Sequence, residues 1–551
     1  MRIADLIASA FKLRAVRGAG RLAWQGHTWI PARAADRVEA SRHFAQLYAD
    51  HGYHGDAARI YGLAAARAGD SASRTQLEAG RVLAELDAGL VPADLPAVQR
   101  RVLGAADAAL AGGDVDVTAR RLTSALAIAF HPTRHLLTEP SPLLVDTEAF
   151  LRPLHDSVAL TTLTSDAPGP ATERAGARER PEPTARLLVL VADQPSMVRP
   201  MVERHRAAGR EVRLIDLGAI EEADLTLAAL VAARLDHSLT GARIPVPAAL
   251  ADSLAWADTI FVEWGHRALV WASLLDTRLP IVTRVRKYEA MTPMPLLTAW
   301  QHVGRSVFVA TPIRDLVAAT APGFGSDVHV VPDAVDLPRW DRGKRAEADR
   351  TIALVGWNKV SKDPAWALEV LRLLREEDPT WRLLLVGETV PADSGADPYY
   401  EALTRRILGF KDAVEVTGFT DDLAATLTRV GVILSSSRVE GQHDSLIQGV
   451  ASGALPVVRD WPDLAAWGGA AAVYPAEWVV GTPQLAAERI LTAAPTPARS
   501  EATRLAREWV RREYDPAALT ATFDGVVLDG DRPARRTRRR PHARRAATDR
   551  T

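Results

Sequence analysis

The segment GVILSSSRVEGQHDSLIQGVASGALPVV, residues 431–458, decides the fold class of this chain. An apolar run rich in strand formers is followed by a polar loop, by a segment with helical spacing and by Pro-Val-Val. The apolar runs are continuous rather than alternating, which predicts strands buried on both faces, as in parallel sheets covered by helices. The segment therefore predicts one strand–helix–strand unit of a doubly wound α/β domain.

Similar apolar runs alternate with helical segments on both sides of this unit, and they fall into two series. The predicted strands of the first series are 186–192, 211–217, 258–264, 280–285, 306–311 and 328–332. Those of the second are 351–356, 382–387, 413–418, 431–436 and 455–458. Two series predict two Rossmann-like domains, 186–340 and 341–498. Such sheets bind ligands at the carboxyl ends of their strands, so we expect the site in the cleft between the domains.

The flanking segments differ in composition from the two α/β domains. Residues 1–164 are rich in Ala, Leu and Arg with helical periodicity, and predict an all-α N-terminal domain. Residues 43–69 have the spacing of one tetratricopeptide unit. The domain is therefore either a helical-repeat interaction surface or a helical cap packed on the next domain.

Three further segments complete the organisation. Residues 165–185 contain no apolar residue larger than alanine and predict a flexible linker. Residues 499–530 predict a pair of helices. The Arg-rich residues 531–551 predict a disordered tail, which is either simply solvated or in contact with an anionic membrane surface or nucleic acid.

Overall composition excludes several classes of protein. The net charge of −1 creates no global field that would attract nucleic acid, and we expect no nucleic-acid partner. The absence of cysteine excludes disulfides, thiol catalysis and Cys-ligated zinc, and fits a reducing compartment. No apolar stretch approaches the ~20 residues of a membrane span, and the N-terminus lacks the pattern of a signal peptide. We expect a cytoplasmic protein, with peripheral attachment to the inner face of a membrane as an alternative.

The loop after the strand at 351–356 is a candidate anion site. Lys359 and Lys362 follow Gly356 and precede a helix that is predicted to begin near residues 362–364. The amide groups and dipole at a helix N-terminus favour negative charge, and two ammonium groups strengthen that preference. The alternative is a pair of exposed lysines on an ordinary loop.

The loop within residues 431–458 is a second candidate. Gly441 would allow a sharp turn and a close approach of the backbone to a ligand, and Asp444 and Ser445 are favourable N-cap residues. Phosphates could rest on the helix N-terminus up to Leu446. The carboxylate that precedes the helix and an amide inside it could then bind hydroxyl groups of the same ligand. The alternative is an ordinary Asp-capped helix beside a solvated glutamate.

The segments GWNKVSKDP (356–364), VTGFTDDL (416–423) and SSSRVEGQHDSLIQGVASGALPVV (435–458) resemble family-4-type (group 1) retaining glycosyltransferases of the GT-B fold. The resemblance covers residues 186–495 and is strongest over 351–475. That family carries a Glu-x7-Glu signature, in which Glu440 fits the first acid. Gln448 stands where the second, ribose-binding acid is expected.

The resemblance also implies roles for neighbouring positions. Lys362 fits the lysine that binds the donor diphosphate, and Trp357 stands where the family has an arginine, whose charge Lys359 would supply. In the first α/β domain, Arg286 stands where the family often places a histidine close to the reacting sugar. The donor base is expected along backbone groups near residues 387–388 and 418–419, which are Gly387, Glu388, Gly418 and Phe419.

Several polar residues of the first α/β domain are also expected to face the cleft. Each of them could serve in a structural ion pair, in core packing or in contact with the acceptor. They are Glu263, Trp264, His266, Arg284, Arg286, Tyr288 and Glu289.

The resemblance implies a metal-independent transfer, with retention, from a UDP- or GDP-linked sugar to a glycan, lipid-linked or protein acceptor. Glu440, Lys362 and Arg286 would be the catalytic residues, and no cofactor is expected. Two alternatives remain open. One is a nucleotide-sugar epimerase or hydrolase on the same scaffold, and the other is a non-catalytic binding subunit whose helical N-terminus recruits a protein partner.

Overall fold

The structure is a computed structural model that describes residues 34–137, 140–167, 186–192, 195, 198–325, 327–389, 398–494 and 496–529. Most of the predicted linker and the whole predicted basic tail lie outside the described residues. Within the described part, no helix combines the length and the apolar content that crossing a membrane requires.

The described residues that precede the first sheet contain helices and their connections, as predicted. The hairpin expected over 43–69 is formed by the first two helices. Asp70 and Asp114 cap the third and fifth helices by accepting hydrogen bonds from the backbone N–H groups of Ser73 and Val117. The helices are α1 Ala34–Asp50, α2 His54–Arg67, α3 Ser71–Asp87, α4 Leu95–Ala111, α5 Val115–Ala129, α6 Pro142–Val145, α7 Thr147–His155 and α8 Val158–Thr164.

The first sheet has six parallel strands in the order β2-β1-β3-β4-β5-β6. Each predicted strand of the first series overlaps one of them. They are β1 Arg186–Val191, β2 Glu211–Asp216, β3 Thr259–Val262, β4 Ile281–Val285, β5 Val303–Phe308 and β6 Asp327–Val330. The helices around them are α9 Arg199–Ala207, α10 Leu227–Thr240, α11 Ala248–Trp256, α12 Arg267–Leu274, α13 Lys287–Ala290, α14 Met294–Leu297 and α15 Thr311–Thr320.

The second sheet also has six parallel strands, in the order β12-β11-β10-β7-β8-β9. They are β7 Thr351–Val355, β8 Arg382–Val386, β9 Val414–Gly418, β10 Val432–Ser435, β11 Leu455–Arg459 and β12 Val479–Val480. The two-residue edge strand β12 was not predicted. The helices are α16 Pro364–Glu377, α17 Pro398–Gly409, α18 Leu423–Leu427, α19 Asp444–Ala451 and α20 Pro483–Ala493. The two parallel sheets and the preceding helices confirm the predicted fold class.

The helical region and the first sheet share one hydrophobic core. Leu122 of α5 and Leu160 of α8 belong to the same buried cluster as Leu230 of α10. Ser238 of α10 donates a hydrogen bond to the carbonyl of Leu163 at 2.8 Å. The region is thus packed on the α/β domain as a cap, and a helical-repeat interaction surface stays a prediction.

The last helices, α21 Thr496–Glu513 and α22 Pro516–Asp524, return from the second sheet to the first. Phe523 packs edge-on against Phe261 of β3, with ring centroids 5.4 Å apart. Asp524 accepts hydrogen bonds from Arg204 at 3.0 Å and from Arg210 at 2.9 Å. These contacts tie the end of the described chain to the first domain and so link the two domains.

Candidate functional site

The loops that follow β7 and β10 bring Lys362 and Glu440 together at the carboxyl ends of adjacent strands. Lys362 Nζ donates to Glu440 Oε1 at 2.5 Å, and Ser437 Oγ donates to the same oxygen at 2.9 Å. Glu440 is only 5% exposed. The two predicted catalytic residues of the second domain therefore form a partly desolvated ion pair at the expected end of the sheet.

Lys362 is positioned by a short, well-bonded turn. The backbone N–H of Arg438 donates to the carbonyl of Ser361 at 2.8 Å, and Ser436 Oγ donates to the carbonyl of Lys362 at 2.5 Å. Asp363 then caps α16 and pairs with Arg459 at 2.6 Å. These bonds join the β7 loop to the β10 loop, so the lysine is held beside the glutamate by the backbone as well as by charge.

His443 is a buried member of the site that the sequence did not single out. Its Nδ1 lies 2.8 Å from Ser435 Oγ, and its Nε2 lies 3.3 Å from Lys362 Nζ. An ammonium group can only donate, so Nε2 accepts and the ring proton is on Nδ1. Burial, and after it the charge of Lys362, lowers the pKa of His443 to about 3. The ring is therefore neutral and fixes one direction of the ammonium group.

The start of α19 differs in detail from the prediction. The helix begins at Asp444, and His443 occupies the N-cap position without a side-chain cap bond. An N-cap residue has non-helical backbone angles, whereas Asp444 already lies inside the helix. Its carboxylate accepts a hydrogen bond from Gln442 Nε2 at 2.7 Å instead. The expectation that Asp444 and Ser445 cap the helix was wrong, although the helix begins where it was predicted.

Lys287 of the first domain reaches the same glutamate from across the cleft. Its Nζ lies 3.4 Å from Glu440 Oε2 and donates to the carbonyl of Val439 at 3.2 Å. Burial lowers the pKa of Lys287, and the positive charge of Lys362 acts in the same direction. Burial alone would raise the pKa of Glu440, but Lys287 and Lys362 hold it below its ordinary value. The carboxylate is thus ionised between two ammonium groups.

Arg286, the third predicted catalytic residue, is occupied by a network of ion pairs. It donates to Glu263, and its Nε and Nη2 donate to Asp333 at 3.0 and 3.1 Å. Arg284 bridges the same two acids, at 2.7 Å to Glu263 and 2.8 Å to Asp333. Burial would lower the pKa of Arg286, but the two carboxylates hold it above its ordinary value. Of the interpretations left open for Glu263, Arg284 and Arg286, the ion pair is the one observed.

Gly441 lies at a close approach between the domains. A Cβ atom there would lie 3.2 Å from Val309 Cγ2 and 3.5 Å from Ile313 Cγ1, both in the first domain. The chain bends at this residue as expected, but its φ is outside the left-handed region, so the bend alone does not require glycine. The adjacent Gln442 donates to the carbonyl of Asp333 at 2.9 Å. The need for glycine is therefore explained by contact with the other domain.

The predicted base-binding edge lies at the ends of β7, β8 and β9. Gly356, Gly387 and Gly418 have φ values of +73°, +129° and +70°, which favour glycine. The backbone N–H of Gly387 donates to the carbonyl of Gly418 at 3.0 Å, so these turns lie side by side. Phe419 beside them is 73% exposed. An exposed aromatic ring at a strand end offers a flat surface for stacking.

The remaining predicted residues differ in exposure. Lys359 and Glu388 are exposed, Ser445 and Gln448 are half-buried on α19, and Leu446 is fully buried. Trp357, which stands where the family has an arginine, packs into the core of the second domain. The structure therefore leaves Lys359 as the exposed cation on this loop.

The helical region also contacts the site, which the sequence did not indicate. A short turn at Thr133–Leu137 contacts the lysine-bearing turn Val360–Lys362. The contact joins segments more than two hundred residues apart in the sequence. No local pattern could have signalled it, nor the approach of Lys287 to Glu440.

Residues 349–491, which include both loops of the second domain, match the family described as Glycosyl transferases group 1. These residues are thus similar to group 1 glycosyltransferases. A similar curated protein is the GDP-mannose:cellobiosyl-diphosphopolyprenol alpha-mannosyltransferase of Xanthomonas campestris, 26% identical over 138 residues. The match covers 25% of this chain and 36% of that relative, so the chain spans little more than a third of the relative's length.

Similar solved structures cover a larger share of the chain. One is Anabaena HepE in complex with UDP and glucose, with a TM-score of 0.45, 13% identity, and coverage of 62% of this chain and 98% of that chain. Another is a UDP-forming alpha,alpha-trehalose-phosphate synthase from Burkholderia xenovorans, with a TM-score of 0.44 and 14% identity. That match covers 62% of this chain and 98% of the synthase chain. The family match is confined to the domain of the second sheet, and the first sheet and the helical region lie outside it.

Proposed function

We propose that this protein is a glycosyltransferase that moves a sugar from a nucleoside-diphosphate sugar to an acceptor hydroxyl with retention of configuration. The observation that carries the proposal is the buried pair of Glu440 and Lys362 at the carboxyl ends of β7 and β10. It lies where the two domains meet and inside the segment that matches group 1 glycosyltransferases. A purely structural domain has no need for a desolvated cation at this edge.

Catalysis in this proposal is mainly electrostatic. The acceptor oxygen bonds to the anomeric carbon on the face from which the nucleoside diphosphate leaves. The bond from the anomeric carbon to the phosphate oxygen breaks, its electron pair stays on the diphosphate, and the diphosphate takes the acceptor's proton. Lys362, Lys359 and the N-terminal amides of α19 stabilise the growing negative charge. These groups supply the charge that a metal supplies elsewhere, and we propose a metal-independent reaction.

The remaining contacts are assigned by position. Glu440 binds hydroxyl groups of the donor sugar, and Gln448, one turn inside α19, binds a ribose hydroxyl. The base lies along the strand ends at Gly387 and Gly418, where the exposed ring of Phe419 can stack on it. Arg286 acts indirectly, through the ion-pair network that shapes the first domain's side of the cleft.

The name of the Xanthomonas relative states GDP-mannose as the donor and a cellobiosyl-diphosphopolyprenol as the acceptor. GDP-linked donors and lipid-linked acceptors are therefore the first to test, with UDP-linked donors and glycan or protein acceptors next. A cytoplasmic enzyme with a basic tail at an anionic membrane surface fits this assignment. Recruitment of a protein partner by the helical region remains part of the proposal.

A second candidate is a non-catalytic subunit that binds a nucleotide sugar. The observation that favours it is the saturation of Arg286 by two carboxylates, which leaves that side chain with no charge to offer a substrate. An epimerase or hydrolase would use the same donor site. Donor turnover with and without an acceptor separates these candidates.

The experiment that tests the donor site is thermal stabilisation by UDP, GDP, ADP and TDP. We compare the native chain, Lys362→Ala and the control Arg405→Ala, whose side chain is 71% exposed on α17. One diphosphate should raise the melting temperature of the native chain and of the control but not that of Lys362→Ala. A native chain that no diphosphate stabilises would refute the proposed donor site.

A further inference from the structure

The two oxygens of the Glu440 carboxylate have partners from different domains. Oε1 accepts from Lys362 and Ser437, which belong to the same domain as the glutamate. Oε2 faces Lys287 at 3.4 Å, and this lysine is the first residue of α13 in the first domain. The carboxylate is thus oriented jointly by the two walls of the cleft, and Oε2 is the oxygen with the longer, weaker contact.

Arg286 cannot perform this task, although it precedes Lys287 directly. Its guanidinium group is bound by Glu263 and Asp333, and it lies 4.5 Å from the ring centre of Trp264. That network holds the backbone at the end of β4. The next side chain, Lys287, is thereby directed at the second domain, while the arginine itself faces its own domain's acids.

The charges around Glu440 do not balance. Among the described residues, Glu440 is the one carboxylate within ion-pair distance of Lys287 or Lys362. Two ammonium groups against one carboxylate leave an excess of one positive charge in a poorly solvated cleft. Such an excess is unfavourable in a poorly solvated site, and the phosphates of a donor bound beside Lys362 would offset it.

We propose that Lys287 is a positioning residue that crosses the cleft and aims Glu440 Oε2 at the donor sugar. Recognition of the sugar then depends on the closeness of the two domains, whereas recognition of the diphosphate depends mainly on Lys362. The inference rests on the proposed function, because it names the group that orients Glu440 for that reaction.

The inference separates two parts of donor affinity. A nucleoside diphosphate lacks the sugar, so loss of Lys287 should weaken its binding less than threefold while Lys362 and Lys359 remain. The sugar-bearing donor gains affinity through Glu440, and that gain should disappear when the carboxylate is no longer held. Hydrogen bonds to charged groups contribute enough for the gain to change about tenfold or more.

The test compares native protein, Lys287→Met, Lys287→Arg and the control Arg278→Met, an exposed arginine just before the opposite end of β4. Isothermal titration gives Kd for GDP and GDP-mannose and for UDP and UDP-glucose. Release of the nucleoside diphosphate gives kcat and KM for the donor that binds. Lys287→Met should lose the tenfold gain in affinity that the sugar provides, and its kcat should fall about 10- to 100-fold. Lys287→Arg should recover part of both losses. The control should match the native protein.

The outcomes distinguish this inference from the proposed function. A native chain that binds no nucleoside diphosphate overturns both. A native chain that binds GDP or UDP but gains nothing from the sugar overturns the positioning role alone. The same holds if Lys287→Met retains the native ratio of the two dissociation constants, or if Lys287→Arg is no better than Lys287→Met. Circular dichroism of each variant excludes loss of folding as the cause.

Discussion

Glu289 lies in α13, two residues after Lys287, and its ionisation should make the stability of the fold depend on pH. Its side chain is fully buried, and its Oε2 accepts a hydrogen bond from the backbone N–H of Arg286 at 3.0 Å. Among the described residues, Oε1 has no hydrogen-bond partner. Burial raises the pKa of Glu289 from 4.5 to about 7, although backbone hydrogen bonds and Arg286 favour the ionised form.

The sign of the effect follows from proton linkage. Between pH 4.5 and 7 the folded chain keeps a proton that the unfolded chain releases, so the free energy of unfolding falls as the pH rises. The difference of about 2.5 units corresponds to about 3 kcal/mol. Below pH 4.5 both states carry the proton, and above pH 7 both release it, so the loss is confined to this window.

We therefore expect Glu289→Gln to stabilise the protein in a pH-dependent manner. Glutamine keeps an oxygen for the backbone N–H of Arg286 but cannot ionise. Calorimetry should show similar melting temperatures for variant and native chain at pH 4.5, and an advantage of several degrees for the variant at pH 8. The control is Glu148→Gln on α7, whose side chain is 88% exposed. A difference between Glu289→Gln and the native chain that does not change with pH would refute the reasoning.

Three further perturbations test other parts of the structure. Glu440→Gln should reduce donor turnover about 10²- to 10³-fold. The same change should tighten binding of the nucleoside diphosphate in titration, because it releases Lys362 from its ion pair. Weaker diphosphate binding would contradict this. Asp524→Asn should lower the calorimetric melting temperature by a few degrees, since it removes the negative charge between Arg204 and Arg210; an unchanged value would show that the link from α22 to the first domain is dispensable. A chain that lacks residues 1–164 should self-associate in light scattering, because the buried face of α10 becomes exposed; a stable monomer would contradict the shared core.

The spacing of apolar residues and the polar loops between them predicted most of the architecture. Continuous runs such as 186–192 and 351–356 can be buried on both faces, and this property, which is local, indicates parallel strands. The order of the loops and helices then placed Lys362 and Glu440 at the same end of the second sheet. The edge strand β12 was missed because two residues form no detectable pattern.

The sequence by itself thus determined two parallel α/β domains, a helical N-terminal region and the loops that carry the site. Only the tertiary structure decided that Arg286 is bound by Glu263 and Asp333 while its neighbour Lys287 reaches Glu440, 153 positions away. Local propensity depends on the spacing of apolar residues along one segment. The partner of a charged side chain depends instead on how two domains pack, and adjacent residues on a strand end can face opposite partners for that reason.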